Sequence, residues 1–329
     1  METVLSGIRS TGNLHLGNYF GAVRNFVKMQ NDYKCFFFVA DLHSLTTYPT
    51  PDDLYGNIRQ VLAEYLAAGI DPEVATLYVQ SDVPEIPQLY LFLNMNAYVG
   101  ELERTTTFKE KIRSQPENVN AGLLTYPVLM ATDIIIHKAN KVPVGKDQEQ
   151  NLEITRKFAK RFNTTYHVDY FPLPEPFNFG QDLIKIPGLD GTGKMGKTEG
   201  NGIFLADEPG LIRKKVMRAV TDAGPAKARQ KMSDPVRNIF TILEVVSPRD
   251  TYDYFLDQYN TCKIRYNELK KQLAEDIIRL TSPIRERILA ISSDEKYIGK
   301  VVRMGAEKAR ASASQTLRDV REIIGYRTF

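Results

Sequence analysis

The chain has 329 residues, with 43 Lys+Arg against 40 Asp+Glu, two cysteines and no tryptophan. Hydrophobic residues at 43% and charged residues at 25% match globular averages and exclude disorder and fibrous repeats. Two cysteines exclude a disulfide scaffold, and no apolar run approaches the roughly 20 residues of a membrane span.

Met1-Glu2 lacks the basic start and apolar core of a signal peptide, so a soluble cytoplasmic chain of about two domains is expected. Cys35 lies in an apolar run and reads as a buried thiol. The net charge of +3 hides a split. Residues 206–329 hold 24 Lys+Arg and 17 Asp+Glu, whereas residues 1–205 hold 19 and 23. A basic C-terminal part points to a polyanionic partner, although solvated helix faces rich in Lys and Arg would give the same count.

In chain order, Thr3 to Ser6 reads as a strand running into the glycine-bearing segment Gly7 to Gly17. Tyr19, Phe20, Val23, Phe26, Val27 and Gln30 follow at helical spacing. Cys35 to Ala40 is a continuous apolar run, as in a strand covered on both faces. Thr50-Pro51-Asp52-Asp53 combines a hydroxyl N-cap, proline at the first helical position and acids in the first turn, and predicts a helix to about Ala68. Thr76 to Gln80 is a third strand; Val142 to Gly145 is a fourth, followed by a helix through Phe162. This alternation predicts an α/β fold, a doubly wound parallel sheet that binds ligands at the carboxyl ends of its strands. After Phe204 the strand signal stops and an all-helical C-terminal region follows: Ala206–Val220, Pro235–Val246, Arg249–Asn260, Thr261–Thr281 and Asp294–Ile324. A boundary near residue 205 is therefore expected.

Two segments carry chemistry. Thr11 to Asn18 joins the first strand to its helix, a turn where a nucleotide can approach the backbone and a helix N-terminus favours phosphate. His15 can donate to a phosphoryl oxygen, and Asn18 from the first helical turn. The segment is neither G-x-G-x-x-G nor a P-loop, and on spacing alone it equally fits a structural turn with a solvated histidine. Gly191 to Thr198 carries Lys194 and Lys197 among glycines, a mobile cationic loop suited to polyphosphate, although an ordinary exposed loop has the same composition. A third feature is Tyr126, Met130 and Asp133, which share one helix face and place a carboxylate in an apolar stretch. On these residues alone the carboxylate reads as a structural cap or a buried ion pair, an acceptor-only group that suits a donor-only partner.

Taken together, His15-Leu16-Gly17-Asn18 and Lys194-Met195-Gly196-Lys197-Thr198 resemble the HIGH and KMSKS signatures of class I aminoacyl-tRNA synthetases. Ser6-Gly7-Ile8, Asp41 to Thr46, Gly100 to Arg104, Leu124 to Asp133 and Val142 to Gln148 narrow the resemblance to the bacterial tryptophanyl-tRNA synthetase family, over nearly the whole chain. The resemblance implies a Rossmann-like catalytic domain over 1–205, an anticodon-binding helical domain over 206–295, and a segment 296–329 packed back on the catalytic domain. It implies L-tryptophan, ATP with Mg2+ and tRNA(Trp) as substrates, no dedicated protein metal site, and a homodimer. His15, Asn18, Lys194 and Lys197 would be catalytic. ATP would meet Arg9, Ser10, Thr11, Gly17, Asn18, Gly145, Lys146, Asp147, Ile186 and the loop Lys194, Met195, Gly196, Lys197 and Thr198. Tryptophan would meet Leu5, Gly7, His43, Tyr126, Met130, Asp133 and Gln148. Three departures stand out: Arg9-Ser10 where the family usually has Gln-Pro, Lys146 where it has Glu, and Gly196 where it has Ser. A tyrosine-specific relative shares the first turn and the Gly-x-Asp-Gln segment. A paralogue that binds tRNA or tryptophan without catalysis is the other alternative, raised by the altered lysine loop.

Overall fold

The computed structural model describes residues 1–114, 116–145, 149–177, 185–197 and 199–327. Among them, five parallel strands form one sheet in the order β3-β2-β1-β4-β5: β1 (Thr3–Arg9), β2 (Lys34–Ala40), β3 (Thr76–Val79), β4 (Lys141–Pro143) and β5 (Glu175–Phe177). Thr3 to Arg9 pairs in register with Lys34 to Ala40. Strand periodicity then sorts the side chains. Val4, Cys35, Phe37, Val39 and Leu77 join one apolar layer. Leu5, Phe36, Phe38 and Tyr78 join the other. Both faces are covered, which explains why β2 reads as an unbroken apolar run. Cys35 is buried in the first layer.

The first layer is closed by helices Arg24–Met29 and Pro51–Ala68 and by the C-terminal helices. Thr50 caps the Pro51–Ala68 helix by accepting from Asp53 N–H, and Gly69 ends it. The second layer is closed by helices Glu85–Asn94, Ala121–Ile136 and Glu149–Tyr166 and by the last helix, Glu295–Ile324. The last helix is tied to the sheet side by His137 Nδ1 to Ser312 Oγ (3.2 Å) and by Tyr170 OH donating to Asp319 (2.7 Å). The first apolar layer runs without a break into Val236, Phe240, Leu269 and Ile277 of the C-terminal helices. No helix among the described residues is long and apolar enough to cross a membrane.

Several boundaries differ from the expected ones. The helix after the first turn opens with a π-helical stretch, Tyr19–Val23, before the α-helix Arg24–Met29. A π turn beside a cavity is a common functional distortion, and here it brings Gly21 and Ala22 to the cavity wall. β5 carries no sequence signal because Pro176 interrupts it, which an edge strand tolerates. The helix expected over 261–281 instead spans Tyr266–Ser293 with Pro283 inside it. It starts late because Cys262 adopts a left-handed backbone, φ 60°.

Candidate functional site

A cavity of about 500 Å³ opens at the carboxyl ends of β1, β2 and β4. Leu5, Gly7 and Arg9 alternate on the β1 side, and Gly145 follows β4. One end is apolar with a buried carboxylate; the other is cationic.

At the apolar end, Asn120 caps the Ala121–Ile136 helix by accepting from Leu123 N–H. That helix turns Tyr126, Met130 and Asp133 toward the cavity, with Leu5 and Phe38 across from them. Asp133 is 1% exposed. Its Oδ2 accepts from His43 Nε2 at 2.9 Å, and Gln80 Nε2 donates to Oδ1 and Oδ2 at 2.8 and 2.9 Å. Gln80 cannot flip freely, because its Oε1 accepts from Leu42 N–H at 3.1 Å. Burial pushes the Asp133 carboxyl above the usual carboxylate range, while His43 and Gln80 pull it back. The other ring nitrogen of His43, Nδ1, is buried and without a hydrogen-bond partner among the described residues. The His43 ring packs on the Tyr126 ring at 4.3 Å. Burial raises the Tyr126 phenol pKa, and Arg9 opposes the shift. The Phe38 ring lies over Gly7, so an added methyl there would sit 2.5 Å from it.

At the cationic end, His15 is the N-cap of the short helix Leu16–Asn18. Its Nδ1 accepts from Asn18 N–H while Asn18 Oδ1 accepts from His15 N–H, each at 3.2 Å. The cap fixes the tautomer: Nε2 bears the hydrogen and is the donor. Burial first, then Lys197 and Lys194, lower the His15 pKa to about 4, so the ring is neutral at pH 7. Gly17 is required by close approach, since a Cβ there would lie 2.8 Å from the His15 ring. Replacing Gly17 by alanine should displace the ring at a cost of about 1–3 kcal/mol. The expected outcome is a several-fold higher KM for the nucleotide with little change in amino-acid affinity, measured by initial rates.

The first turn is held from outside by Leu16 N–H to Ile203 (2.9 Å) and Leu205 N–H to Leu14 (2.9 Å). Lys194 and Ile186 reach the cavity from a hairpin-like segment in which Met195 N–H donates to Ile186 at 3.1 Å. Arg9, Lys111, Lys185 and Lys194 all line this end, an arrangement that concentrates positive potential for a polyphosphate. Lys197 lies just behind it, its Nζ donating to the Gly12 carbonyl at 2.8 Å.

The structure therefore brings Leu5, Gly7, Arg9, His15, Gly17, Asn18, His43, Tyr126, Met130, Asp133, Gly145, Ile186 and Lys194 to one cavity. Other expected residues lie elsewhere. Ser10 is buried and donates to Ser44 Oγ at 2.9 Å, on the short helix Asp41–Ser44 that follows β2. Thr11 N–H bonds to the Arg9 carbonyl within the turn, and Met195 is a core side chain. Gly196 leaves a notch into which the Glu199 carboxylate packs. Lys146, Asp147, Gln148 and Thr198 lie outside the described residues. Sequence reasoning missed Gln80, Lys111 and Lys185. Gln80 carried a usable signal, a polar residue closing an apolar parallel strand at its ligand-binding end.

A family model described as tRNA synthetases class I (W and Y) matches residues 2–282. A Tryptophan–tRNA ligase of Porphyromonas gingivalis is 65% identical over 327 residues, covering 99% of this chain and 100% of the relative. One from Clostridium tetani is 39% identical, over 99% of this chain and 96% of its own. Among solved structures, a tryptophanyl-tRNA synthetase from Campylobacter jejuni, complexed with ADP and tryptophan, superposes with a TM-score of 0.88 at 31% identity, covering 98% of this chain and 99% of that one. With the cavity, the paired signature segments and these relatives in agreement, the chain belongs to the class I tRNA synthetases of the W and Y family, among the bacterial tryptophanyl-tRNA synthetases.

Proposed function

We propose that this chain is a tryptophan–tRNA ligase that activates L-tryptophan with ATP and transfers it to tRNA(Trp). The observation that carries the reading is Asp133: a buried carboxylate, oriented by His43 and Gln80, in the wall of an otherwise apolar cavity end. Its role is to accept the indole N–H, with Met130 and Leu5 against the ring and Tyr126 and Gln148 toward the α-amino group. Rejection of a ring without that N–H then follows, because the carboxylate would stay desolvated and under-paired.

In the first step the tryptophan carboxylate attacks the α-phosphate of ATP, giving tryptophanyl-adenylate and pyrophosphate. Phosphoryl chemistry of this kind needs alignment and charge stabilisation, and no protein nucleophile. Neutral His15 donates from Nε2, Asn18 steadies the phosphates, and Lys194 and Lys197 follow the charge that develops on pyrophosphate. Arg9, Gly17, Gly145, Asp147 and Ile186 complete the nucleotide side. Magnesium, as part of the ATP substrate, would neutralise phosphate charge at this end, beside Arg9, Lys185 and Lys194. In the second step the 2′-hydroxyl of the terminal adenosine of the tRNA takes the acyl group. The basic helices of 206–295 receive the anticodon stem, 296–329 packs back on the catalytic domain 1–205, and two chains form a homodimer. Tryptophan-dependent exchange of pyrophosphate into ATP is the expected result; exchange driven by tyrosine, or binding of tryptophan without exchange, would refute the reading.

A further inference from the structure

Beneath the first nucleotide turn lies a carboxylate that the reaction just described does not use. Glu64 comes from the Pro51–Ala68 helix, whose second half is buried continuously from Val61 to Ala67. It is 0% exposed. Its Oε2 accepts the backbone N–H of Leu14 at 2.8 Å, and its Oε1 accepts from Gln60 Nε2 at 2.9 Å. Leu14 immediately precedes the His15 cap, and Lys197 is held to Gly12, two residues earlier in the same turn. The buried acid and the lysine of the second signature are thus bonded to the same turn, two residues apart. Lys197 faces Glu64 from the lysine loop, while Glu64, Arg9 and the neutral His15 ring face Lys197. Burial pushes the Glu64 carboxyl up to about 7, opposed by Gln60, Leu14 and Lys197. Burial also pushes Lys197 down to about 8, and Glu64 is the neighbour that opposes it.

We propose that Glu64 is a positioning residue for amino-acid activation, fixing through Leu14 the first turn whose Gly12 carbonyl holds the Lys197 ammonium behind the phosphate end of the cavity. It touches neither substrate. A structural filler at this place would be apolar, because a buried acid is tolerated only where its partners answer it. Here one oxygen is matched to the backbone of the nucleotide turn and the other to Gln60. This inference rests on the activation reading above.

Glu64→Gln separates the two functions, since it keeps an acceptor for Leu14 N–H and removes the charge. The expected result is a fall in kcat for tryptophan-dependent pyrophosphate exchange of roughly 10–100-fold, the usual size for groups that orient a reacting side chain. KM for tryptophan should stay within about twofold, and the alkaline limb of the pH profile should move to lower pH, because Lys197 loses the neighbour that keeps it protonated. Glu64→Asp keeps the charge on a shorter stem, so the limb should return toward its wild-type position while KM for ATP rises. In a Lys197→Arg background, Glu64→Gln should no longer shift the limb. Wild-type kcat and an unmoved limb in Glu64→Gln would overturn the proposal. Should Glu64→Gln fail to fold, a limb displaced in the Glu64→Asp protein as far as a lost charge requires would overturn it as well. Absence of exchange in the wild-type chain would instead overturn the activation reading itself.

Discussion

Asparagine in place of Asp133 is expected to lower kcat/KM for tryptophan by roughly 10²-fold while leaving KM for ATP near its wild-type value. The side chain keeps its shape, but one acceptor oxygen becomes an NH2 donor. Gln80 Nε2 and His43 Nε2 already donate to this group, and Gln80 is held in that orientation by Leu42 N–H. The variant therefore sets donor against donor in a buried place and leaves the indole N–H without a full acceptor. Loss of a hydrogen bond to a charged group with a buried donor unpaired costs about 3 kcal/mol, and 1.36 kcal/mol is tenfold. Tryptophan binding can be followed by fluorescence directly, because the chain has no tryptophan of its own. Unchanged affinity would show that the indole is read elsewhere.

Removal of the Lys197 ammonium should have the larger effect on rate. Lys197→Ala is expected to reduce kcat for exchange by roughly 10²–10³-fold, the size found when one preorganised donor to a developing anion is deleted. KM for tryptophan should change little, since the lysine sits behind the phosphate end of the cavity. The pH dependence has a definite sign. Burial lowers the Lys197 pKa from its ordinary value to about 8, so the active, protonated form is lost as pH rises through about 8. Lys197→Arg should retain part of the rate and lose this alkaline limb, because a guanidinium stays protonated. An alkaline limb that persists unchanged in the arginine variant would assign it to another group.

The features that were legible in the sequence are those with local causes. Thr50-Pro51 announced a helix start because a cap and a fixed φ act within one turn. The β2 and β3 runs were legible because parallel strands are apolar on both faces. The Tyr126–Met130–Asp133 face followed from helical spacing, and the place of His43 beside it from the family resemblance. Less could be read where the cause is tertiary. β5 is hidden by Pro176, tolerated because it lies at a sheet edge. Gln80 looked like the end of a strand, and its role appears once the Ala121–Ile136 helix brings Asp133 within 2.8 Å. Glu64 belongs to no motif, although Val61, Leu62, Ala63, Tyr65, Leu66 and Ala67 around it are apolar and leave it as the lone charge in a buried half-helix. Ser10 and Met195 show the converse: both neighbour true cavity residues in sequence, yet Ser10 turns into a strand-end hydrogen bond and Met195 into the core. Adjacency along the chain does not set the direction of a side chain at a strand end.

The central claim is that a buried acceptor at Asp133 selects an amino acid by its ring N–H. Exchange of pyrophosphate into ATP, measured with tryptophan, with tyrosine and with the tryptophan analogue whose indole N–H is replaced by sulfur, tests it most directly. The account predicts exchange with tryptophan, a kcat/KM lower by roughly 10²-fold or more for the sulfur analogue, and a preference that largely disappears in Asp133→Asn. Equal kcat/KM for tryptophan and its sulfur analogue in the wild-type protein would contradict it.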